Sequence, residues 1–318
     1  MALLEVSGLS VGIGGLSPLD GVSLEVDRGG ILGIVGESGS GKSLTAMGVM
    51  GLLPLIGGRV TAGSVTFDGT DLTRIDETAY RRLRGKRIAL ISQNPMTSLD
   101  PIVRVGEQID QVSVRHLGLS GSDARARTLD TMNRLRIPDA ETVYRNYPHQ
   151  LSGGMKQRIV IATALAADPD LIIADEPTTA LDVTIQAQII QTLVDLVRER
   201  SLALLLITHD MGVVAQACHA VVVMYAGRVV ETNAVGALFA EPMHPYTRAL
   251  IGCIPLPEQP PGSLHGIPGT VPGVLDYPSG CRYHPRCAIA ESRCGAVPPT
   301  LLPHADGRVS CNLVTDPA

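Results

Sequence analysis

Short apolar runs recur along the chain and predict buried strands at Ile31 to Val35, Arg87 to Ile91, Leu171 to Ala174, Leu202 to Ile207 and Val221 to Met224. Helical spacing lies between them, at Leu44, Met47 and Met50, and again at Ile185, Ile189, Leu193 and Leu196. Strands alternating with helices imply a mainly parallel α/β sheet. Residues 1 to about 30 read differently, because Val22, Leu24 and Val26 alternate on one face and predict antiparallel strands. Val60, Val65 and Phe67, followed by Asp68-Gly69, predict another hairpin of that small sheet. From about 95 to 165 the periodicity is helical and interrupted, through Val105, Ile109 and Val112, then Ala124 to Leu135, then a helix opening at Ser152; this predicts a helical insertion. Beyond Glu241, Pro and Gly become frequent (Pro255, Pro260, Pro268, Gly269, Pro272, Gly273), as in a semi-extended linker or wrapped tail.

Composition narrows the class. With 318 residues and 45% hydrophobic content the chain has ample material for a core, in one large domain or two. A net charge of −5 without a long basic run argues against an extended nucleic-acid surface, and no Trp with only two Phe leaves little for base stacking. The longest apolar candidates, Leu202 to Ile207 and Ala220 to Tyr225, fall short of the roughly 18 residues of a membrane span. Met1-Ala2-Leu3-Leu4-Glu5 has no charged start followed by an apolar core, so no secretory signal is expected. The expected setting is the cytoplasm, where the six cysteines are reduced or metal-bound.

The chemistry centres on Gly36-Glu37-Ser38-Gly39-Ser40-Gly41-Lys42-Ser43, which matches G-x-x-x-x-G-K-[ST] between a predicted strand and a predicted helix. Glycines let the backbone fold around phosphate oxygens so that amides and the positive helix end face the anion. Lys42 is expected to reach the β and γ phosphates, and the Ser43 hydroxyl to bind Mg²⁺. Leu171 to Ala174 then delivers Asp175 and Glu176 at a strand end, beside the phosphate loop in a parallel sheet; Asp175 is expected to hold Mg²⁺ and Glu176 to polarise the attacking water. Leu151-Ser152-Gly153-Gly154-Met155-Lys156-Gln157-Arg158 reads as a second anion-binding helix start, although an ordinary capped helix has the same pattern.

Together with Gln93, Ala180-Leu181-Asp182 and His209, these segments resemble those of the ABC transporter ATP-binding subunits, from Gly36 through His209. The resemblance implies a P-loop NTPase ABC ATPase domain: a RecA-like core with an antiparallel β subdomain and a helical insertion, spanning 1–240 with the helical subdomain at about 95–165. It implies an ATPase acting on ATP with Mg²⁺, in which Gly36, Ser38, Gly39, Ser40, Gly41, Lys42, Ser43 and Leu44 form the nucleotide cradle. Gln93 joins Ser43 and Asp175 at the metal and senses the γ-phosphate, and His209 faces that phosphate. Ser152, Gly153, Gly154 and Asp182 complete the nucleotide site of a partner, because family members pair head to tail around two ATP molecules. The family's adenine-stacking aromatic is replaced here by Ile13, and Met155 stands where many members have Gln; the first change predicts weaker hold on the base.

The tail at 241–318 narrows the likeness. His244-Pro245-Tyr246-Thr247, the Pro-Gly stretch and the terminal cysteines are similar to the C-terminal extension of dipeptide and oligopeptide importer ATPases. Cys281, Cys287, Cys294 and Cys311 offer four thiolates, a donor set for a [4Fe–4S] cluster or structural Zn²⁺, with unligated reduced thiols as the further alternative; the spacing lacks paired C-x₂-C units, and the resemblance favours the cluster. Cys218 and Cys253 lie in apolar contexts and read as small core residues. The resemblance implies a peripheral subunit at the cytoplasmic face of the membrane, paired with a homologous second ATPase, two permease subunits and an external solute-binding protein. Nickel, glutathione or oligosaccharide are the alternative cargoes, and a soluble ABC ATPase acting on nucleic acid or ribosomes is the remote alternative.

Overall fold

The computed structural model of the chain describes residues 2–179, 181–255, 260 and 266–314, so Ala180 lies outside the described residues. In chain order the strands are β1 (Ala2–Ile13), β2 (Leu16–Asp27), β3 (Ile31–Val35), β4 (Gly58–Phe67), β5 (Thr70–Asp71), β6 (Ile88–Ile91), β7 (Leu171–Asp175), β8 (Ala203–Thr208), β9 (Ala220–Tyr225), β10 (Arg228–Ala234), β11 (Leu302–His304) and β12 (Gly307–Val309). The helices are α1 (Lys42–Val49), α2 (Glu77–Leu83), α3 (Pro95–Ser98), α4 (Val105–Leu117), α5 (Gly121–Arg134), α6 (Ala140–Tyr144), α7 (Gly153–Leu165), α8 (Val183–Arg200), α9 (Met211–Ala217), α10 (Val235–Ala240), α11 (Pro245–Gly252) and α12 (Ser292–Ala296). Every buried strand predicted from an apolar run is present, and so is the helical insertion. The chain divides into two compact units, one formed by Asp27–Gly30 with Ile75–Leu206, the other by Ala2–Val26, Ile31–Arg74 and Ile207–Ala318.

In the first unit β6 and β7 run parallel, from the Ile88/Leu171 pair to Ile91/Ala174. Leu171 to Ala174 are wholly buried, which explains a continuous apolar run in place of an alternating one. The insertion is a cluster in which α4, α5, α6 and α7 pack on one another. Its interior is pinned by Asp110 of α4, which accepts hydrogen bonds from Thr128 (2.6 Å) and from the Tyr144 hydroxyl. Burial, then the Asp110 hydrogen bond, pushes the Tyr144 hydroxyl up to about 12, so it stays a donor at neutral pH.

In the second unit the antiparallel sheet has the order β2-β1-β4-β5, and Val22, Leu24 and Val26 lie on its buried face as their alternation requires. Asp68 and Gly69 take φ of 48° and 77°, the left-handed pair of a tight hairpin between β4 and β5. The same unit carries β3 parallel to β9, with β9, β10, β12 and β11 then pairing antiparallel. β11 and β12 escape the sequence pattern: each is three residues long, Pro303 interrupts β11, β12 is held by pairing with Glu231 and Thr232 of β10, and β11 pairs in turn with β12. Cys218, behind α9, is buried against β3, and burial pushes its thiol up to about 12. Among the described residues no helix is long and apolar enough to cross a membrane.

Candidate active site

β3 ends in a loop whose shape is set by close backbone approach. A Cβ on Gly36 (φ 153°) would stand 2.2 Å from the Met224 carbonyl oxygen, and one on Gly41 (φ 103°) 2.5 Å from Leu19 Cδ2. The backbone contact leaves no room for a side chain at Gly36, and at Gly41 the positive φ strains any residue but glycine. Gly41 caps α1, and Lys42 at its first position is buried, with Nζ donating to the Gly36 carbonyl at 2.7 Å and the Glu37 carbonyl at 3.1 Å. The ammonium is thereby folded back over the loop that it belongs to. Ser38, Gly39 and Ser43 are exposed at the mouth, Leu44 is half-buried, and Ser40 is buried with a hydroxyl that finds no partner among the described residues.

Residues far along the chain hold this loop, and sequence reasoning missed them. The Glu37 N–H donates to the Tyr246 hydroxyl at 2.9 Å across 209 positions. Arg286 grips the Glu37 carboxylate with both terminal nitrogens, at 2.8 and 3.0 Å across 249 positions, and its side chain is 6% exposed. Burial works against the Arg286 charge, but the hydrogen bonds to Glu37 and Tyr225 outweigh it and raise it above the ordinary arginine value. On the other flank the Gly227 N–H donates to the Ser40 carbonyl at 2.8 Å, and Arg282 donates to the carbonyl of Ala226. Tyr225 stands edge-on to Tyr246 and Tyr283, with ring centres 4.7 and 5.1 Å away. Tyr246 belongs to the His-Pro-Tyr-Thr segment and Glu37 to the loop motif, so both were visible as residues; nothing in their spacing pairs them.

Ile13 sits half-buried at the end of β1, opposite Gly58 of β4. His209 is exposed immediately after β8, and the following Asp210 caps α9 by accepting from the N–H groups of Gly212 and Val213.

The other unit holds Gln93, Ser152, Gly153, Gly154, Asp175, Glu176 and Asp182. β7 runs out at Asp175, and Glu176 takes φ 48°, a left-handed conformation that costs a glutamate on the order of 1 kcal/mol and is concentrated at functional sites. The turn puts the Glu176 carboxylate where the Gln93 side-chain amide and the Thr179 hydroxyl both donate to it at 2.9 Å. Sequence-predicted Gln93 and Glu176 are thus brought together directly. Ser152 caps α7, its hydroxyl accepting from the Met155 N–H at 3.4 Å, and both Ser152 and Gly153 are exposed. A Cβ on Gly154 would lie 2.9 Å from Ile185 Cγ2, so that glycine lets α7 approach the start of α8. Asp182 caps α8, accepting from the Ile185 N–H at 2.9 Å.

In the tail, Cys281, Cys287, Cys294 and Cys311 all line one small cavity, together with His244 and Tyr283. Burial first, and then neighbouring thiols, push Cys281 and Cys287 above the ordinary thiol value. His244 is wholly enclosed and burial lowers it to about 3; its Nδ1 accepts from the Tyr246 N–H at 3.0 Å, so the proton sits on Nε2, which has no partner among the described residues. Among the described residues no three His, Cys, Asp or Glu groups converge closely enough to hold a single metal ion.

Comparison with known proteins matches residues 19–179 to the ABC transporter family and residues 230–294 to the family described as the C-terminal region of oligopeptide/dipeptide transporters. The dipeptide transport ATP-binding protein DppD of Escherichia coli (strain K12) is 50% identical over 100% of this chain and 98% of that protein. The oligopeptide transport ATP-binding protein AppD of Bacillus subtilis (strain 168) is 45% identical over 93% of this chain and 90% of that protein. Among solved structures, a dimeric ATP-binding cassette in a post-hydrolysis state with ADP and Pi aligns with a TM-score of 0.66 at 26% identity, over 73% of this chain and 98% of that one. A subunit of an ABC transporter complex from Clostridium perfringens aligns with the same TM-score at 28% identity, over 76% of this chain and 91% of that one.

Proposed function

The chain belongs to the ABC transporter ATPases, and on that premise we propose that it is the ATP-hydrolysing subunit of an importer of dipeptides or oligopeptides. The observation that carries the peptide reading is that the likeness runs through the tail as well as the cassette, at 50% identity over the whole chain.

ATP is the substrate. Lys42 and the loop from Gly36 to Leu44 hold its phosphates, a role supported by the side-chain-free approach at Gly36 and Gly41 and by a lysine ammonium already poised over the loop. Ser43, Gln93 and Asp175 would hold Mg²⁺, which neutralises charge on the β and γ oxygens when bound. Glu176 orients and polarises the attacking water, supported by the two hydrogen bonds that fix its carboxylate. As the water oxygen bonds to the γ-phosphorus, the bond to the ADP oxygen breaks, and His209 lies against the departing phosphate. Ile13 gives the adenine apolar contact only. Ser152, Gly153, Gly154 and Asp182 act on the site of a partner, supported by the exposure of Ser152, Gly153 and Asp182. The ABC domain covers 1–240 and the extension 241–318.

An ATPase of this family implies membrane permeases as partners. The fuller assembly is a second homologous ATPase, two permease subunits and an external solute-binding protein, with this chain on the cytoplasmic face. The reading of the four tail cysteines as [4Fe–4S] ligands is supported by all four residues lining one cavity, beside His244, whose Nε2 has no partner among the described residues. Structural Zn²⁺ is the alternative for the same four thiolates. Cys281, Cys287, Cys294 and Cys311 would be the ligands, and the cluster would staple a segment with little core of its own.

The test is ATP turnover of the reconstituted transporter with its binding protein, challenged with a short-peptide panel and with nickel, glutathione and oligosaccharide controls. Stimulation by peptides alone is expected; stimulation by another solute alone would overturn the cargo while leaving the ATPase.

A further inference from the structure

The tail does more than lie on the cassette surface. We propose that Arg286 and Glu37 form a positioning pair through which the C-terminal tail sets the shape of the phosphate loop and so the affinity for ATP; this rests on reading residues 36–43 as that loop.

Glu37 is the loop residue whose polar groups are all engaged. Its N–H donates to the Tyr246 hydroxyl, its carboxylate takes both arms of Arg286, and its carbonyl accepts from Ser40 N–H and from Lys42 Nζ. Any shift of Glu37 therefore moves a resting partner of the lysine that meets the phosphates. Arg286 in turn is over-determined: besides Glu37 it donates to the carbonyls of Ile267, Pro268 and Gly269, at 3.2, 2.7 and 3.3 Å, and to the Tyr225 hydroxyl at 3.4 Å. A planar five-donor fork serves acceptors that a single ammonium cannot all reach, so lysine would keep the charge facing Glu37 and lose the bidentate grip. Four residues earlier, Arg282 holds the carbonyl of Ala226 and, at 3.1 Å, Asp20, next to the Gly227 N–H that grips the Ser40 carbonyl. The tail thus holds the loop directly at Glu37, and at Ser40 only through the Ala226-Gly227 turn that Arg282 braces, on either side of exposed Ser38 and Gly39. A phosphate cradle works only if its donors are held to within a fraction of an ångström, and the tail supplies that constraint from outside the motif.

The experiment measures Mg-ATP binding by calorimetry and thermal unfolding on the full chain carrying Glu37→Gln, Arg286→Met, Arg286→Lys or Glu37→Gln with Arg286→Met. Each of Glu37→Gln and Arg286→Met should weaken ATP binding about tenfold, and the double variant no further than the weaker single, because two contacting residues share one interaction. Arg286→Lys should recover part of the loss. Unchanged affinity in Glu37→Gln, with or without a lower unfolding temperature, would overturn the proposal, as would losses that simply multiply in the double variant. Glu37→Gln is nearly isosteric, so it decides the matter even if Arg286→Met fails to fold. Lys42→Ala separates the premise: retained ATP binding there would sink the phosphate-loop reading itself, whatever Arg286 does.

Discussion

Lys42 and Ser152 both stand at the start of a helix that meets phosphate in the proposed reaction, and their surroundings differ. Lys42 is buried, closed over by its own loop, and that loop is tied at Glu37 and Ser40 to residues up to 249 positions away. Ser152 caps α7 with a 3.4 Å hydrogen bond and is exposed, as is Gly153 behind it. One anion-binding helix start is finished inside the chain, and the other faces outward. The difference matches the proposed division of labour: on that proposal a single chain holds ATP, and the exposed helix start acts on the nucleotide of a neighbour.

Breaking the finished side should have the largest effect. Lys42→Ala should remove ATP binding and lower turnover by on the order of 10²–10³-fold, measured by calorimetry and phosphate release, because the buried ammonium has no substitute nearby. Ser152→Arg should sharpen the contrast: ATP affinity of the isolated chain stays unchanged, while turnover of the assembled transporter falls at least about tenfold through loss of the amide contact and added bulk at an exposed helix start. The smallest effect belongs to the strand beneath the loop. Cys218→Ser buries a hydroxyl where a thiol packed and should cost about 1–3 kcal/mol in chemical denaturation with ATP affinity unchanged, so that packing of β3 and function of the loop come apart.

Much of this contrast was legible from residue order alone. Apolar runs located β3, β7, β8 and β9 because a strand buried on both faces must be apolar throughout, and the phosphate loop announced itself because few residues besides glycine fit at Gly36 and Gly41. Ser152 and Asp182 were legible as caps for the same local reason. What escaped is long-range. Arg286 was visible only as a basic residue beside Cys287, and its pairing with Glu37 depends on a fold that returns the tail to the loop. The left-handed turn at Glu176 and the Gln93 hydrogen bond to its carboxylate also carry no sequence signal, since any strand can end in two acids. β11 and β12 were invisible because pairing makes them strands, β12 on β10 and β11 on β12, and not their own composition.

The most direct test of the contrast is ATP turnover per chain across a concentration series, with molecular mass measured on the same samples and the second ATPase added in a parallel series. Turnover should be near zero while the chain is monomeric and rise with the paired fraction, steeply so when the second ATPase is present. Full turnover by the monomer, constant across the series, would contradict a site that needs the outward-facing Ser152 segment of another subunit.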